Sequence, residues 1–260
     1  MNAVKKFAVA ASFVTCIPLT RLPADDEADI MSGLAKYLPA VGIFVGVLLA
    51  GMALAARCAH TNNILTAAFL TVAWLCVTGG IHFDGLMDTA DGIFSHREPA
   101  RMLEIMSDSR VGNFGAMAGF CTLLIKFASL ASLPFPVLIQ ALALVPAWAR
   151  WCETYTIAAF PYLRKQGMGK VWHDTTRCPL DIMLAGALPV ALSTAAIYFA
   201  GAWALIVAIA TIVPGLWAAY WLNSRLTGHT GDSYGAVVEI AEAKALFVLA
   251  LIAQVPGLSL

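Results

Sequence analysis

Three aspartates, Asp84, Asp88 and Asp91, fall close together in the stretch GGIHFDGLMDTADGIF, residues 79–94. On a helix, residues four and seven positions apart project within about 40° of each other, so the three carboxylates should share one face. Carboxylates this close repel one another, and they either hold protons or bind a cation. A hard divalent ion such as Mg²⁺ suits such oxygen ligands. The spacing therefore favours a metal site over a merely solvated helix end.

A second polar segment, DSRVGNFGA, follows at residues 108–116. We assign Arg110 to clamping phosphate oxygens, Gly112 to admitting the backbone close to them, and the start of the next helix to supplying free N–H groups. Ser109 is a further predicted substrate contact. Glycine-rich entries to membrane helices also occur for packing reasons, so this segment gains weight only beside the aspartates. The predicted metal ligands are Asp84, Asp88, Asp91 and Asp108.

More ionisable residues lie in apolar surroundings. In TGHTGDSYGAVVEIAEAK, Asp232 and Glu239 are seven positions apart and should line the same cavity as the aspartates, binding metal or orienting substrate. His82 is a further candidate substrate contact. Arg150 and Glu153 lie within an apolar run at i, i+3 spacing, which leaves open a structural ion pair or a functional role.

The composition is that of a helical membrane protein. Of 260 residues, 60% are hydrophobic and only 12% are charged, and apolar runs of about twenty residues recur. We expect one integral membrane catalytic domain over residues 1–260. Basic and acidic residues cancel, which predicts no nucleic-acid partner. The six cysteines are scattered singly, without the spacing of a disulfide framework or a metal site.

Hydropathy predicts an all-α, polytopic helical membrane protein with about six to eight membrane helices and cytoplasmic active-site loops. A short N-terminal apolar stretch favours a retained interfacial or re-entrant helix over a cleaved signal peptide. The C-terminal run, residues 245–260, can span only with little tilt or in a thinned bilayer. The six strong spans are Pro39 to Cys58, Asn63 to Ile81, Asn113 to Leu133, Phe135 to Phe160, Met183 to Ala200 and Ala202 to Leu222.

Basic residues predict the orientation. The connections at 21–37, 92–112, 161–181 and 223–244 contain 2, 3, 4 and 2 Lys or Arg, whereas those at 59–62 and near 134 and 201 contain none. By the positive-inside rule the basic loops, and the acidic motif with them, face the cytoplasm. Within the second basic loop, Pro99 is placed to open a short amphipathic helix on the membrane surface.

Several phrases together resemble one family. HFDGLMDTADGIF, REPARMLEIMSDSRVGNFGA, FVTCIPL, KYLPAVGIFVG and TGDSYGAVVEIAE occur in order between about Phe7 and Lys244, and they are similar to those of the cobalamin (5'-phosphate) synthases, the adenosylcobinamide-GDP ribazoletransferases. Two positions depart from the family pattern. Cys16 stands where an arginine is frequent, and His229 stands where a glycine is common.

The resemblance implies a Mg²⁺-dependent, multi-pass enzyme of the bacterial inner membrane with its active site facing the cytoplasm. Such an enzyme joins adenosylcobinamide-GDP to α-ribazole or its 5'-phosphate and releases GMP. The catalytic residues would be Asp84, Asp88 and Asp91, which hold the metal, and Arg110, which takes phosphate charge, with Asp91 as a candidate base. A homo-oligomer is left open.

Two other functions are weighed. A CDP-alcohol phosphotransferase also uses membrane-end aspartates, but its usual pattern places an Ala-Arg pair after the Asp-Gly pair, and that pair is missing here at the right distance. A cation-coupled transporter would place its carboxylates deep within the spans, whereas the aspartates are predicted at the cytoplasmic mouth.

Overall fold

The computed structural model describes residues 2–21 and 31–255, and at Ala200 only the backbone. Within these ranges the chain forms eleven α-helices and no β-strand, so the all-α prediction is confirmed. A 3₁₀ turn, Ala35–Tyr37, precedes α2. The helices are α1 (Ala3–Val14), α2 (Leu38–Cys58), α3 (Asn63–Val77), α4 (Ile81–Phe94), α5 (Pro99–Ile105), α6 (Asn113–Ser132), α7 (Phe135–Ala159), α8 (Met168–Thr175), α9 (Leu180–Ala200), α10 (Trp203–Leu226) and α11 (Gly231–Ile252).

The membrane spans agree with the hydropathy prediction. Among the described helices, α2, α6, α7, α9 and α10 are each long and apolar enough to cross a membrane, and α3 with α4 makes a sixth candidate. The five single helices match their predicted spans to within four residues at either end, whereas α3 with α4 runs to Phe94, well beyond the predicted end at Ile81. The polytopic helical membrane protein is confirmed, with five or six candidate spans against the expected six to eight. Helix α11 is as long, but it is not among these candidates because it carries four charged residues, Asp232, Glu239, Glu242 and Lys244.

The short terminal segments behave differently. Helix α1 has 12 residues, about 18 Å, and is too short to cross a hydrocarbon core of about 30 Å. Its side chains Val9 and Val14 are buried in the apolar core that includes α2. A helix therefore forms in the predicted N-terminal stretch, and its retained interfacial or re-entrant placement stays a prediction. Of the predicted C-terminal run, residues 245–252 form the last part of α11, while residues 256–260 lie outside the described residues.

The second predicted span is broken. Gly79 and Gly80 have φ angles of 61° and 70°, a left-handed conformation that glycine adopts without steric cost, and α4 leaves them bent by 88° from α3. The predicted span, Asn63 to Ile81, would place the aspartates at its C-terminal end, where the helix dipole opposes negative charge. That placement is wrong: Asp84 lies in the first turn of α4, where the dipole favours a carboxylate.

The long helices pack closely through small residues. A Cβ added to Gly42 of α2 would lie 2.3 Å from the carbonyl oxygen of Pro146 in α7, and one added to Gly46 would lie 2.5 Å from that of Leu142. Such backbone contact is how helices associate in membranes, where a purely apolar surface gives little net attraction. Helix α11 packs against α4, α6, α7 and α10 and therefore lies inside the bundle.

A buried ion cluster joins α6, α7 and α11. Lys126 Nζ lies 2.7 Å from carboxylate oxygens of both Glu239 and Glu242, and Arg150 Nη1 lies 3.0 Å from Glu242. Lys126 also sits 4.8 Å from the centre of the Trp74 ring. The i, i+3 pair considered from sequence is not the pairing observed, because Arg150 turns to α11 while Glu153 faces His82 of α4.

Candidate active site

Helix α4 presents its aspartates along one side. Asp84 is exposed, whereas Asp88 and Asp91 are half-buried. Asp88 lies within the electrostatic reach of Asp84, Asp91 and Asp232. The predicted clustering of carboxylates is therefore present, and it accumulates negative charge at the start of a helix that adjoins the second acidic segment.

Two glycines bring that second segment close. A Cβ on Gly85 would lie 2.6 Å from the carbonyl oxygen of Asp232, and a Cβ on Gly235 would lie 2.9 Å from the backbone of His82. Helices α4 and α11 thus cross in backbone contact, with one glycine on each. Any larger residue at either position would separate Asp232 from the α4 aspartates.

Arg164, in the loop between α7 and α8, contacts Asp232 beside the α4 aspartates. Its Nη2 donates to Asp232 Oδ2 at 2.6 Å and also lies 3.3 Å from Ser107 Oγ and 3.5 Å from the carbonyl oxygen of Met106. The guanidinium is about one-third exposed, so it faces both the carboxylates and solvent. Sequence reasoning missed this residue, although its loop is the most basic connection in the chain.

Asp91 is engaged in the backbone of α6. Its carboxylate accepts hydrogen bonds from the N–H groups of Gly112 and Gly115, both at 2.8 Å. The N–H groups that were expected to bind phosphate are thus partly taken by Asp91, which caps α6. Gly112 is required for this contact, because a Cβ there would lie 2.3 Å from Asp91 Oδ1.

Asp108, Ser109 and Arg110 form an exposed turn. Arg110 donates to Asp108 from Nη2 at 2.6 Å and from its backbone N–H at 3.0 Å. The side-chain hydrogen bond from Arg110 holds the pKa of Asp108 down to about 2. Arg110 is 87% exposed, so its predicted phosphate clamp is not in place in this conformation. The roles of these residues as metal or substrate contacts stay predictions.

A cavity of about 250 Å³ opens beside the carboxylates. Asp84, Asp232, Arg164 and His82 line it. The sequence predicted Asp84, Asp232 and His82 as site residues but not Arg164. Burial raises the pKa of Tyr162, another lining residue, so its hydroxyl stays protonated. Within the described ranges the lining does not include Glu239, which was expected here but lies two turns further along α11, paired with Lys126.

The carboxylates suit a hard cation by their chemistry. Within the described ranges no three His, Cys, Asp or Glu side chains converge closely enough to form a ready-made metal site. Mg²⁺ in particular is commonly held by one or two carboxylates together with substrate phosphates and water. Asp84 and Asp88, with the carboxylate of Asp232 close by, fit that mode of binding.

One known protein family matches the sequence across all of these site residues. The sequence pattern of a family described as cobalamin-5-phosphate synthase matches residues 6–250, nearly the whole chain. The chain belongs to this family. All of the site residues described above fall within the matched range, so the cobalamin-5-phosphate synthase pattern covers α4, the Arg164 loop and the start of α11 alike.

Curated relatives in the cobalamin-5-phosphate synthase family are similar over most of their length. A protein from Thermosynechococcus vestitus is 38% identical over 236 residues, covering 90% of this chain and 91% of the relative. One from Desulfitobacterium hafniense is 37% identical over 254 residues, covering 96% and 97%. Both are named adenosylcobinamide-GDP ribazoletransferase. No solved structure matches the chain.

Proposed function

We propose that this protein is an adenosylcobinamide-GDP ribazoletransferase, joining adenosylcobinamide-GDP to α-ribazole or its 5'-phosphate and releasing GMP. Family membership supports this proposal. The structural observation that carries it is the convergence of Asp84, Asp232 and Arg164 on one cavity, with Asp88 within electrostatic reach of both carboxylates. A diphosphate substrate brings several negative charges, which require both a cation and a positively charged side chain.

In this proposal Asp84 and Asp88 hold Mg²⁺, with Asp232 able to join them. The bound ion would neutralise the diphosphate and stabilise the leaving phosphate. Arg164, which pairs with Asp232, would contact the phosphoryl oxygens by charge-assisted hydrogen bonds. Asp91 acts indirectly, since by capping α6 it fixes the position of α4 relative to the loop at 107–112.

The transfer itself exchanges the phosphoanhydride bond of the diphosphate for a phosphate ester. The ribose hydroxyl of the ribazole attacks the phosphorus that bears the cobinamide arm, an O–P bond forms, and the P–O bond to GMP breaks. A carboxylate at the mouth accepts the hydroxyl proton, and Asp232 is placed for this step at the start of α11. We propose that the site faces the cytoplasm of a bacterial inner membrane, because the basic loops lie at this end of the helices.

Incubation of the purified protein in detergent or nanodiscs with Mg²⁺, adenosylcobinamide-GDP and α-ribazole tests the proposal. GMP and a base-containing corrinoid should appear together in equal amounts. A matched control is Glu104→Gln, an exposed acid of α5 that pairs with Arg101. Release of CMP from a CDP-alcohol, or cation uptake without GMP release, would instead support one of the two rival functions.

A further inference from the structure

The cavity beyond the carboxylates is aromatic. Trp172 of α8 packs edge-on against Phe13 of α1 with ring centres 5.2 Å apart, and Tyr162 lies 5.9 Å from Tyr234 of α11. All four side chains line the cavity. Its volume, about 250 Å³, is below that of pockets that enclose whole drug-sized ligands and suits a single flat ring system.

Polar atoms without partners accompany these rings. Among residues 2–21 and 31–255, Glu153 Oε2, His82 Nδ1, Trp172 Nε1 and the Tyr234 hydroxyl are buried without a hydrogen-bond partner. Glu153 is only 3% exposed, and its other oxygen lies 3.6 Å from His82 Nε2, beyond ordinary hydrogen-bond length. A buried carboxylate left in this state is costly, because its lost hydration is not replaced. All four residues line the same cavity, so a ligand that donates hydrogen bonds to a carboxylate would satisfy Glu153 there.

We propose that this cavity binds the guanine base of the substrate's GDP moiety, with Glu153 accepting hydrogen bonds from the ring N1–H and the exocyclic N2 amino group. This inference rests on the proposed function and deepens it by naming the residue that selects the nucleotide. Guanine presents two adjacent donors that a carboxylate can accept in a planar, bidentate arrangement. Its O6 and N7 acceptors can meet donors such as Trp172 Nε1 and the Tyr234 hydroxyl.

Other bases fit these groups less well. Adenine places an unprotonated ring nitrogen where guanine has N1–H, so it would oppose the Glu153 carboxylate. The benzimidazole ring of a ribazole offers a ring nitrogen acceptor and no N–H donor. A site built around a hydrogen-bond acceptor discriminates strongly against a ligand that lacks the donor, because the buried group is then left unpaired.

The position of the cavity agrees with the rest of the site. Asp84, Asp232 and Arg164 line it at the end where α4 and α11 begin, whereas Glu153 comes from α7 and Trp172 from α8. A base held against Glu153 would direct its ribose and diphosphate towards the carboxylates and the guanidinium. One bound nucleotide would thereby contact Glu153 with its base and the carboxylates and guanidinium with its diphosphate.

Direct binding to the full chain in nanodiscs tests the base. With Mg²⁺ present, GDP should bind at least ten times more tightly than ADP, and IDP, which lacks the N2 amino group, should fall between them. Glu153→Gln should weaken GDP binding by about ten-fold or more and abolish the preference over ADP, whereas Glu104→Gln should change neither. Equal binding of GDP and ADP by the wild-type protein would overturn the proposal.

Two further measurements keep the result interpretable. If Glu153→Gln is too unstable to purify, Trp172→Phe keeps the ring but removes the N–H donor, and it should still reduce the GDP preference. In turnover assays Glu153→Gln should raise KM for the GDP substrate and leave KM for α-ribazole unchanged. A rise confined to α-ribazole would assign the cavity to that base and refute guanine. Selective GDP binding without any GMP release would leave this inference standing and refute the proposed function.

Discussion

Arg164 Nη2 lies 2.6 Å from Asp232 Oδ2, so a residue from the loop after α7 is joined to the first turn of α11. Because Asp84 and Asp88 adjoin Asp232, the guanidinium faces a group of negative charges. The positive charge that balances these carboxylates is therefore also the one best placed to meet an incoming diphosphate.

Replacing Arg164 by alanine should lower turnover by about 100-fold, the scale expected when a preorganised charge that stabilises the transition state is lost. The Mg²⁺ concentration for half-maximal rate should not rise, since the guanidinium no longer competes for Asp232. Rates measured across a Mg²⁺ series check both points. Arg101→Ala, at an exposed ion pair, is the matched control. A higher Mg²⁺ requirement in Arg164→Ala would contradict the assigned role.

The three α4 aspartates should separate into two classes. Asp84→Asn and Asp88→Asn should cut GMP release by orders of magnitude and raise the Mg²⁺ requirement, with little change in thermal unfolding. Asp91→Asn should instead destabilise the protein by about 1 kcal/mol, because it weakens the cap on α6 formed with Gly112 and Gly115. Thermal unfolding and GMP release of all three variants check this division. Unchanged thermal stability of Asp91→Asn would argue against the capping role.

The buried ion cluster should matter for stability. Lys126→Met leaves Glu239 and Glu242 without their shared cation and should destabilise the protein by about 3–5 kcal/mol. Adding Glu239→Gln to Lys126→Met should recover part of that loss, which a double-mutant cycle of unfolding measurements can show. Lys170→Met, at an exposed pair, should have little effect.

Glu239→Gln alone distinguishes two predictions for this residue. The sequence predicts a substrate contact and hence a large fall in turnover, whereas its pairing with Lys126 predicts a lower unfolding temperature with near-normal turnover per folded molecule. Measuring both quantities on the same preparation separates them. A fall in turnover with unchanged stability would favour the substrate contact.

His229 should make stability depend on pH. Its ring is buried between Phe160 and Tyr234, and burial lowers the pKa of the imidazole from its ordinary 6.5 to about 4. The unfolded chain therefore takes up this proton at a higher pH than the folded chain. The contribution to stability is complete above about pH 6.5 and is lost as the pH falls towards 4, by roughly 3 kcal/mol in total.

Thermal unfolding between pH 7 and pH 4.5 measures this contribution. His229→Gln should show a flatter dependence than the wild-type protein, and His96→Asn, at an exposed position, should follow the wild-type curve. Parallel curves for His229→Gln and wild type would show that His229 is not the group responsible.

Sequence patterns predict the helices of this protein well because burial in a membrane requires long apolar runs. They also bring together Asp84 and Asp88, whose helical spacing is a local property, whereas the approach of Asp232 joins two helices far apart in the sequence. The break at Gly79 and Gly80 was missed because the apolar run continues through it, although a Gly-Gly pair is itself a turn signal.

The remaining site residues depend on contacts between distant parts of the chain. Arg164 reaches Asp232 across 68 positions, and Lys126 reaches Glu239 across 113. Hydropathy and helical spacing report only on neighbours within a few turns, so they cannot tell which loop or helix supplies a partner. Arg150 and Glu153 illustrate this limit, because their favourable spacing is overridden by acids and bases on other helices.

The buried ion cluster favours a particular order in which the helices insert into the membrane and pack together. Glu239 and Glu242 make α11 expensive to insert alone, since a charged residue at the bilayer centre costs about 2.5–3.5 kcal/mol on insertion scales. Their partners Lys126 and Arg150 lie on α6 and α7, which leave the ribosome earlier. Helix α11 therefore enters the bilayer most readily against helices already in place. Because α11 also carries Asp232, this carboxylate joins Asp84 and Asp88 only once α11 has packed against the earlier helices.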